Sequence, residues 1–270
     1  MHHLIVGMGA LGQQLAQALL QDGQQVTGLR RTPVQLDGVQ MLAQSVQQVD
    51  LTHVAPIQHA YVILTPDHYN VAGYRQAFID SIEPLRQALS AHPLQRLYFI
   101  SSTSVYGQDQ GEWVDEQSPT QPSGYNGQIL IEAEQLWRQV HPEQLVVIRP
   151  SGIYGAGRLR LIEWLRSGRP VAAQAWTNRI HSEDLAGFLA HLSKQRHVED
   201  CYIATDSQPV LQDEVLAGLA AQLNLPMVEC MPKMVSGKRL SNQRLLDSGY
   251  QLRYPDWQSG YQHVLASDIS

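Results

Sequence analysis

A glycine-rich turn near the start of the chain limits what the sequence can fold into. The apolar run from His3 to Gly7 has the character of a buried parallel strand, and the segment GMGALG overlaps its end. An amphipathic helical pattern and a second strand, Gln24 to Leu29, come next. In this context G-x-G-x-x-G spacing predicts a dinucleotide site. Gly7 permits the tight turn, Gly9 lets a pyrophosphate approach, and Gly12 allows close helix–strand packing.

The residues beside this turn indicate which dinucleotide is bound. The start of the helix, at Ala10 and Leu11, offers free backbone N–H groups to the phosphates. Arg30 and Arg31 follow the second strand, where NAD sites usually place an acid for the ribose 2′-hydroxyl; the next acid is Asp37. A guanidinium suits a phosphate, so we expect NADP(H) in preference to NAD(H). The alternative is that both arginines are ordinary solvated side chains.

Composition and charge exclude several other classes of protein. The net charge of -6 disfavours nonspecific binding to nucleic acid or to a membrane surface. No apolar run approaches the length of a membrane span, and the N-terminus lacks the features of a signal peptide, so we expect a cytoplasmic protein. Cys201 and Cys230 are too few for a disulfide framework. The histidines show no metal-ligand spacing, so no metal is expected.

Two further strands bring polar residues to one edge of the predicted sheet. The apolar runs Ala60 to Leu64 and Gln95 to Ile100 are the predicted strands. Between them a helical stretch runs from about Tyr69 to Ser90, with its proline as the expected kink or break. Ligands of open α/β sheets collect at the carboxyl ends of the strands. Leu64 and Ser101, where these two strands end, are therefore candidate cofactor contacts.

Five motifs occur in the order typical of one known family. They are the glycine turn, ISSTSVYG, VDEQSPTQPS, IRPSGIYGAGR and NRIHSEDLA. Together they resemble the extended short-chain dehydrogenase/reductases of the NAD-dependent epimerase/dehydratase family, in an atypical form. The resemblance implies a Rossmann-type doubly wound parallel sheet with a small C-terminal substrate lobe, and a nicotinamide cofactor. It further implies a Rossmann domain over residues 1–155, and a part over residues 156–270 that mixes sheet-completing elements with the lobe.

The resemblance also implies roles for individual residues. Ser102, three residues before the valine of SVYG, would hydrogen-bond a substrate carbonyl or hydroxyl, and Thr103 is the fallback for this role. Tyr125 would be the general acid/base. For His181 the alternative is a structural histidine that is hydrogen-bonded to backbone. The implied contacts on the nicotinamide side are Pro150 and Ile153, and those on the substrate side are Thr103, Asn178, Arg179 and His181.

The register of the tyrosine helix leaves an alternative open. Counting from Pro122 brings Tyr125 to within one residue of the tyrosine position, whereas counting back from Glu134 places Asn126 there. Tyr125 stands at the head of an apolar stripe, which should pack on the sheet and hold Tyr125 near its ligand edge. The stripe continues through Ile129, Ala133, Leu136, Trp137 and Val140.

A lysine that the family places four residues after its tyrosine is missing in either register. Ile129 or Leu130 stands there instead, and the three lysines of the chain are Lys194, Lys233 and Lys238. In the family this lysine binds the nicotinamide ribose and lowers the pKa of the tyrosine. Without nearby positive charge, a phenol with a pKa near ~10 is almost fully protonated at neutral pH. Either another cation replaces the lysine or the reaction needs no tuned base. The candidate cations are Arg149, Arg158, Arg179 and His181.

Two functions from different classes follow. The first is an NADP(H)-preferring oxidoreductase or epimerase/dehydratase-like enzyme. Family members that act on nucleotide sugars are usually longer in the C-terminal half, so the resemblance implies a small carbonyl or hydroxyl substrate in preference to a nucleotide sugar. The second is a noncatalytic NADP(H)-binding sensor or regulatory module, which keeps the glycine turn and has lost the chemistry. Dimers are common in the family, so a homodimer is a further expectation.

Overall fold

A computed structural model of the chain describes residues 1–168, 170–172, 174–231 and 234–268. The strands are β1 (His2–Val6), β2 (Gln25–Leu29), β3 (Val39–Leu42), β4 (His59–Val62), β5 (Arg96–Ile100), β6 (Trp113–Val114), β7 (Leu145–Pro150), β8 (Gly152–Tyr154), β9 (Val171–Ala172), β10 (Ala175–Thr177), β11 (Arg179–His181), β12 (Cys201–Ala204), β13 (Val210–Leu211), β14 (Cys230–Met231), β15 (Ser236–Gly237) and β16 (Arg239–Leu240). The α-helices are α1 (Ala10–Gln21), α2 (Val71–Phe78), α3 (Ile82–Leu89), α4 (Tyr125–Val140), α5 (Arg160–Arg166), α6 (Ser182–Lys194), α7 (Gln212–Leu223), α8 (Gln243–Asp247) and α9 (Trp257–Asp268).

The central sheet has seven parallel strands in the order β12-β7-β5-β4-β1-β2-β3. Strands β1, β4 and β7 are buried along their whole length, as expected for a parallel sheet that is covered on both faces. The chain runs outward from β1 through β2 to β3, and then returns to continue from β4 on the other side of β1. The strand order therefore reverses beside β1, where doubly wound sheets bind ligands. The predicted fold class is confirmed.

The helical stretch after β4 consists of two helices rather than one kinked helix. Helix α2 ends at Phe78 and α3 begins at Ile82, so the break precedes the proline that was expected to cause it. Pro84 is the third residue of α3, where a proline does not remove an intrahelical hydrogen bond. The expected break is therefore present, but it lies a few residues before Pro84, which does not cause it.

The chain divides into two compact units, each made of several segments. The first comprises residues 1–105, 120–149 and 185–202, and it holds β1 to β5, most of β7 and helices α1 to α4. The second comprises residues 106–119, 150–184 and 203–270. Four small sheets belong to the second unit: β13-β10-β15, β11-β8, β14-β9 and β16-β6. These units group residues that are close in space, whereas the predicted domain boundary at residue 155 divides the chain in sequence order. That boundary therefore stays a prediction.

The second unit has its own apolar core. Helix α7 contributes Leu216 and Leu219, and α9 contributes Trp257 and Tyr261. A Cβ on Gly218 would collide with the Trp257 ring, so α7 packs closely on α9 at this point. None of the helices described is long and apolar enough to cross a membrane.

Candidate functional site

The glycines of the turn between β1 and α1 meet three different surroundings. Gly7 has a φ of +104°, and a Cβ there would collide with the Ile63 carbonyl oxygen. A Cβ on Gly12 would collide with the Gly7 carbonyl oxygen, so glycine lets α1 pack against the turn. A Cβ on Gly9 would meet no atom of the described chain within 4 Å. Folding therefore requires glycine at positions 7 and 12, whereas Gly9 borders space that the protein leaves open.

The first turn of α1 presents backbone N–H groups beside this open space. Gly9 is the N-cap of the helix, and because glycine has no side chain it provides no capping hydrogen bond to these groups. Because the first N–H groups of a helix have no acceptor within it, and the helix dipole adds partial positive charge there, this end attracts an anion. Ala10 is exposed and Leu11 is buried. The arrangement suits the phosphates of a dinucleotide.

A cavity of about 450 Å³ lies at this turn, and we call it the glycine-turn cavity. Its walls come from the segments that follow β1, β2, β3 and β4, together with α2, so it opens at the carboxyl edge of the sheet. Of the predicted cofactor contacts in the first unit, Ala10, Leu11, Gly12 and Ser101 are not among its lining residues. Those that do line it are Gly7, Gly9, Arg30, Arg31 and Leu64.

The two arginines of the cavity have different partners. Arg30 donates from Nη1 to the Met8 carbonyl oxygen at 3.3 Å, which ties it to the glycine turn. Arg31 forms a bidentate ion pair with Asp67, with Nη–Oδ distances of 2.7 and 2.5 Å. These hydrogen bonds lower the pKa of the Asp67 carboxyl. Asp67 was not predicted as a site residue, although it lies five residues after β4 and so near the same sheet edge as the turn.

Ser101 belongs to a buried ionic network in the first unit. Its hydroxyl donates to Glu134 Oε1 at 2.6 Å. Arg149 donates to the same carboxylate from Nε at 3.1 Å and from Nη2 at 2.6 Å. The Glu134 and Arg149 side chains are only 9% and 11% exposed. Arg149 was a candidate to replace the missing lysine, and here its charge is paired with Glu134.

The predicted catalytic serine lies in a loop that packs closely on α4. Ser102 Oγ accepts a hydrogen bond from the Ser104 backbone N–H at 3.1 Å, and a 3₁₀ turn runs from Thr103 to Val105. A Cβ on Gly127 would collide with the Ser104 carbonyl oxygen. Glycine at position 127 therefore lets the helix approach the serine loop.

Tyr125 is the first residue of α4 and its side chain is partly exposed. Its hydroxyl donates to the Tyr69 carbonyl oxygen at 2.8 Å, just before α2. Its ring meets the Tyr74 ring edge-on, with a centroid separation of 5.5 Å. Tyr125 is 38% exposed, whereas Ile129, one turn later, is 5% exposed. The apolar stripe is thus buried at Ile129, Ala133 and Trp137, and its tyrosine head is at the surface.

Two of the three lysines are described, and both have partners. Lys194 forms an ion pair with Asp22 at 2.5 Å. The Lys238 amine donates to the Tyr106 carbonyl oxygen at 2.7 Å, and burial lowers its pKa. Lys233 lies outside the described residues. Within α4 itself the residues at the two candidate lysine positions, Ile129 and Leu130, are both buried.

The predicted residues of the second unit lie on or beside paired strands. Pro150 ends β7, and Ile153 pairs with Ile180 across β8 and β11. Asn178 precedes β11 and donates to the Lys238 carbonyl oxygen, while it accepts from the Leu240 N–H, both at 2.8 Å. The Asn178 amide therefore fixes the backbone around β16.

Arg179 and His181 occupy a buried polar region of this unit. Arg179 is 4% exposed and donates to Thr177 Oγ1 at 2.7 Å. His181 accepts from the Glu183 N–H at 3.3 Å, and burial lowers its pKa to about 4. Burial raises the pKa of nearby Asp206 to about 7, partly offset by Arg179. His181 is therefore uncharged at neutral pH and does not provide the positive charge of the missing lysine. Arg158, the fourth candidate to replace that lysine, is exposed.

This polar region also contains atoms without hydrogen-bond partners among the described residues. They are Arg179 Nη1, His181 Nε2, Tyr154 Oη and Asp206 Oδ2. Neither Tyr154 nor Asp206 was predicted as a site residue. Tyr154 stands in the IRPSGIYGAGR motif without an implied role, and Asp206 follows β12 outside the five motifs. The described residues contain no cluster of three or more His, Cys, Asp or Glu that could hold a metal ion.

Comparison with known proteins agrees with this fold. The sequence profile described as the NAD dependent epimerase/dehydratase family matches residues 3–198. A Methylobacillus flagellatus protein, whose structure is described as that of a "putative NAD-dependent epimerase/dehydratase", is 37% identical, with 100% of this chain and 99% of that chain covered and a TM-score of 0.86. Protein YeeZ of Escherichia coli K12 is 28% identical over 93% of this chain and 96% of its own. The human epimerase family protein SDR39U1, solved with NADPH, shares the fold at 18% identity, with a TM-score of 0.81 over 98% of this chain and 99% of its own.

Proposed function

The chain belongs to the NAD-dependent epimerase/dehydratase family, and from this premise we propose that it binds NADP(H) in the glycine-turn cavity and acts on a small carbonyl or hydroxyl substrate. It would work as an oxidoreductase or an epimerase/dehydratase-like enzyme. The observation that carries the proposal is the space beside Gly9, which no described protein atom fills. When bound, a nicotinamide supplies or accepts a hydride.

The residues of the first unit fit the parts of a dinucleotide. Gly9 and the N–H groups of Ala10 and Leu11 would hold the pyrophosphate, because a helix N-terminus favours an anion. Arg30 and Arg31 would bind the adenosine 2′-phosphate, which a guanidinium binds in a bidentate manner. The NADPH in human SDR39U1 supports a nicotinamide cofactor for a chain of this fold. The preference for NADP(H) over NAD(H) rests on the arginines.

A Gly9→Ala variant tests this site. The backbone at Gly9 has a φ of -76° and ψ of -168°, which alanine adopts without strain, and the new methyl group meets no described protein atom. We therefore expect unchanged thermal unfolding and a loss of about tenfold or more in NADPH affinity, because the methyl group occupies the space of the pyrophosphate. Binding is measured by nucleotide fluorescence.

The contrasting variant is Gly12→Ala. Its methyl group would collide with the Gly7 carbonyl oxygen, so we expect a lower unfolding temperature whether or not nucleotide is present. Wild-type protein that binds neither NADPH nor NADH would rule out the proposed function. Undiminished NADPH binding by Gly9→Ala would exclude the glycine turn as the place of binding.

For the chemistry, we propose Ser102 as the group that hydrogen-bonds the substrate oxygen and Tyr125 as the acid/base. Ser102 Oγ accepts from the Ser104 N–H, an arrangement that leaves its hydroxyl proton to donate to a substrate oxygen. Thr103, Asn178, Arg179 and His181 stay predictions for the substrate side, as do Pro150 and Ile153 for the nicotinamide side.

The second candidate is a noncatalytic NADP(H)-binding module. It is favoured by the Tyr125 hydroxyl, which already donates to the Tyr69 carbonyl oxygen, and by the buried Ile129 one turn later. An assay of NADPH oxidation against a panel of small aldehydes and ketones separates the two candidates. Turnover that falls about a hundredfold or more in Tyr125→Phe supports the enzyme, since a positioned acid/base contributes 10²–10⁴-fold. Absence of turnover with NADPH bound supports the module.

Location and assembly complete the proposal. The protein would act in the cytoplasm, alone or as a homodimer, on a small molecule rather than on nucleic acid or a membrane. Its net charge of -6 supports the exclusion of nucleic acid. Sedimentation of the purified protein distinguishes monomer from dimer.

A further inference from the structure

Arg31 and Asp67 pair at the glycine-turn cavity from two different loops. Arg31 follows β2 and Asp67 follows β4, and both residues line the cavity. Both terminal nitrogens of Arg31 donate to the two carboxylate oxygens of Asp67, at 2.7 and 2.5 Å. The carboxylate therefore occupies the bidentate face of the guanidinium, which a phosphate would also use.

This ion pair is exposed to solvent on both sides. The Arg31 and Asp67 side chains are 66% and 44% exposed, so solvent competes for both groups and the pair contributes about 1 kcal/mol or less. Arg30 differs, because it donates to the Met8 carbonyl oxygen and no ion pair is found for it among the described residues. Of the two arginines, Arg31 is thus the one whose charge is already neutralised within the protein.

We infer that Asp67 competes with the 2′-phosphate of NADP(H) for Arg31, and so sets how strongly the protein prefers NADP(H) over NAD(H). This inference rests on the proposed function. Binding of NADP(H) separates Arg31 from Asp67 and brings a phosphate of about -1.5 to -2 charges near a carboxylate. NAD(H) has a hydroxyl in place of that phosphate and leaves the pair intact. Asp67 acts through Arg31 and is therefore a positioning residue.

The test compares nucleotides that differ only in the 2′-phosphate. Dissociation constants for NADPH and NADH are measured by fluorescence in wild type, Asp67→Asn, Arg31→Gln and the double variant. We expect Asp67→Asn to tighten NADPH about fivefold or more and to leave NADH within about twofold, since only the phosphate competes for the guanidinium. Competition by 2′,5′-ADP and by 5′-AMP repeats the comparison without the nicotinamide.

Three controls make the outcome specific. Asp67→Glu keeps the carboxylate and should retain the wild-type ratio of NADPH to NADH affinity. Arg31→Gln should weaken NADPH and shrink the effect of Asp67→Asn, because the competition passes through the guanidinium. Thermal unfolding should be the same for all these surface variants.

The inference is overturned if Asp67→Asn weakens NADPH, leaves the ratio unchanged, or tightens both nucleotides equally. Wild-type protein that binds neither nucleotide would instead defeat the proposed function. A protein that binds both with a ratio insensitive to Asp67 defeats only the inference.

Discussion

The Tyr125 hydroxyl donates a hydrogen bond of 2.8 Å to the carbonyl oxygen of Tyr69, and this contact ties the start of α4 to the segment before α2. Loss of the bond in Tyr125→Phe should lower the free energy of unfolding by about 0.5–1.5 kcal/mol, the usual net value of one hydrogen bond. Urea denaturation measures the change.

Tyr69→Phe is the matched control for this prediction. Tyr69 contributes only its backbone carbonyl to the bond, and its side chain is 74% exposed, so this variant should be as stable as wild type. If Tyr125→Phe also has wild-type stability, the hydroxyl is not held by Tyr69 in solution and is free to contact a substrate.

Glu134→Gln should be one of the more destabilising single changes in α4. It removes the charge of the carboxylate that pairs with the buried Arg149 guanidinium, and breaking a buried pair costs about 3–5 kcal/mol. Glu132→Gln, two residues earlier, removes an ion pair with Arg75 that is almost half exposed and should cost less than about 1 kcal/mol. Equal stabilities of the two variants in urea would contradict the buried network.

Gly127→Ala should destabilise the protein although alanine is the better helix former. The gain in helix propensity is about 1 kcal/mol, whereas the methyl group is driven into the Ser104 carbonyl oxygen and overpacking costs about 1–3 kcal/mol. Gln128→Ala is the control, since Gln128 is exposed and only propensity changes there. A stabilised Gly127→Ala would show that α4 does not press on the serine loop.

Two histidines buried uncharged in the sheet should lower stability in mild acid. His181 acts in the same direction, whereas Asp206, whose pKa burial raises to about 7, acts in the opposite one. Burial lowers the pKa of His3 to about 4 and that of His59 to about 3, below the value of 6.5 for an exposed histidine. Between these folded-state pKa values and pH 6.5, the two histidines bind more protons in the unfolded chain than in the folded protein. The contribution of the two uncharged histidines to the free energy of unfolding is therefore complete above pH 6.5. It is lost as the pH falls, by at most ~1.4 kcal/mol per pH unit for each histidine.

Urea denaturation between pH 7.5 and pH 5 measures this slope. His59→Leu should reduce this slope, and His68→Gln, at an exposed position, is the control. The comparison uses the slope rather than the absolute stability, since either substitution alters packing. A slope that is the same in wild type and His59→Leu would contradict the account.

The glycine turn and the sheet could be predicted from sequence because their signals are local. A short apolar strand, a fixed glycine spacing and a following helix occupy consecutive residues, and the parallel sheet follows from repeating that pattern. The break between the two helices after β4 was predicted at the proline rather than before it, since the sequence shows the proline but not that a first-turn position tolerates it.

The partners of individual side chains could not be predicted, because they lie far apart in sequence. Asp67 meets Arg31 across 36 residues, and Tyr125 meets Tyr69 across 56. Helical periodicity correctly indicated that Ile129 is buried, but it says nothing about the acceptor of the tyrosine hydroxyl. Glu134 was used only to count a register, and its contact with Arg149 depends on the packing of α4 against β7.

The open space beside Gly9 affects which substitutions evolution can accept at this position. Gly7 and Gly12 are constrained by backbone collisions within the protein, so selection for folding alone would retain them. Gly9 meets no such constraint in the described chain. A descendant that stopped using a dinucleotide could replace Gly9 at no cost to its fold, whereas one that still uses it could not. The residue found at this position in relatives would therefore report selection for binding separately from selection for folding.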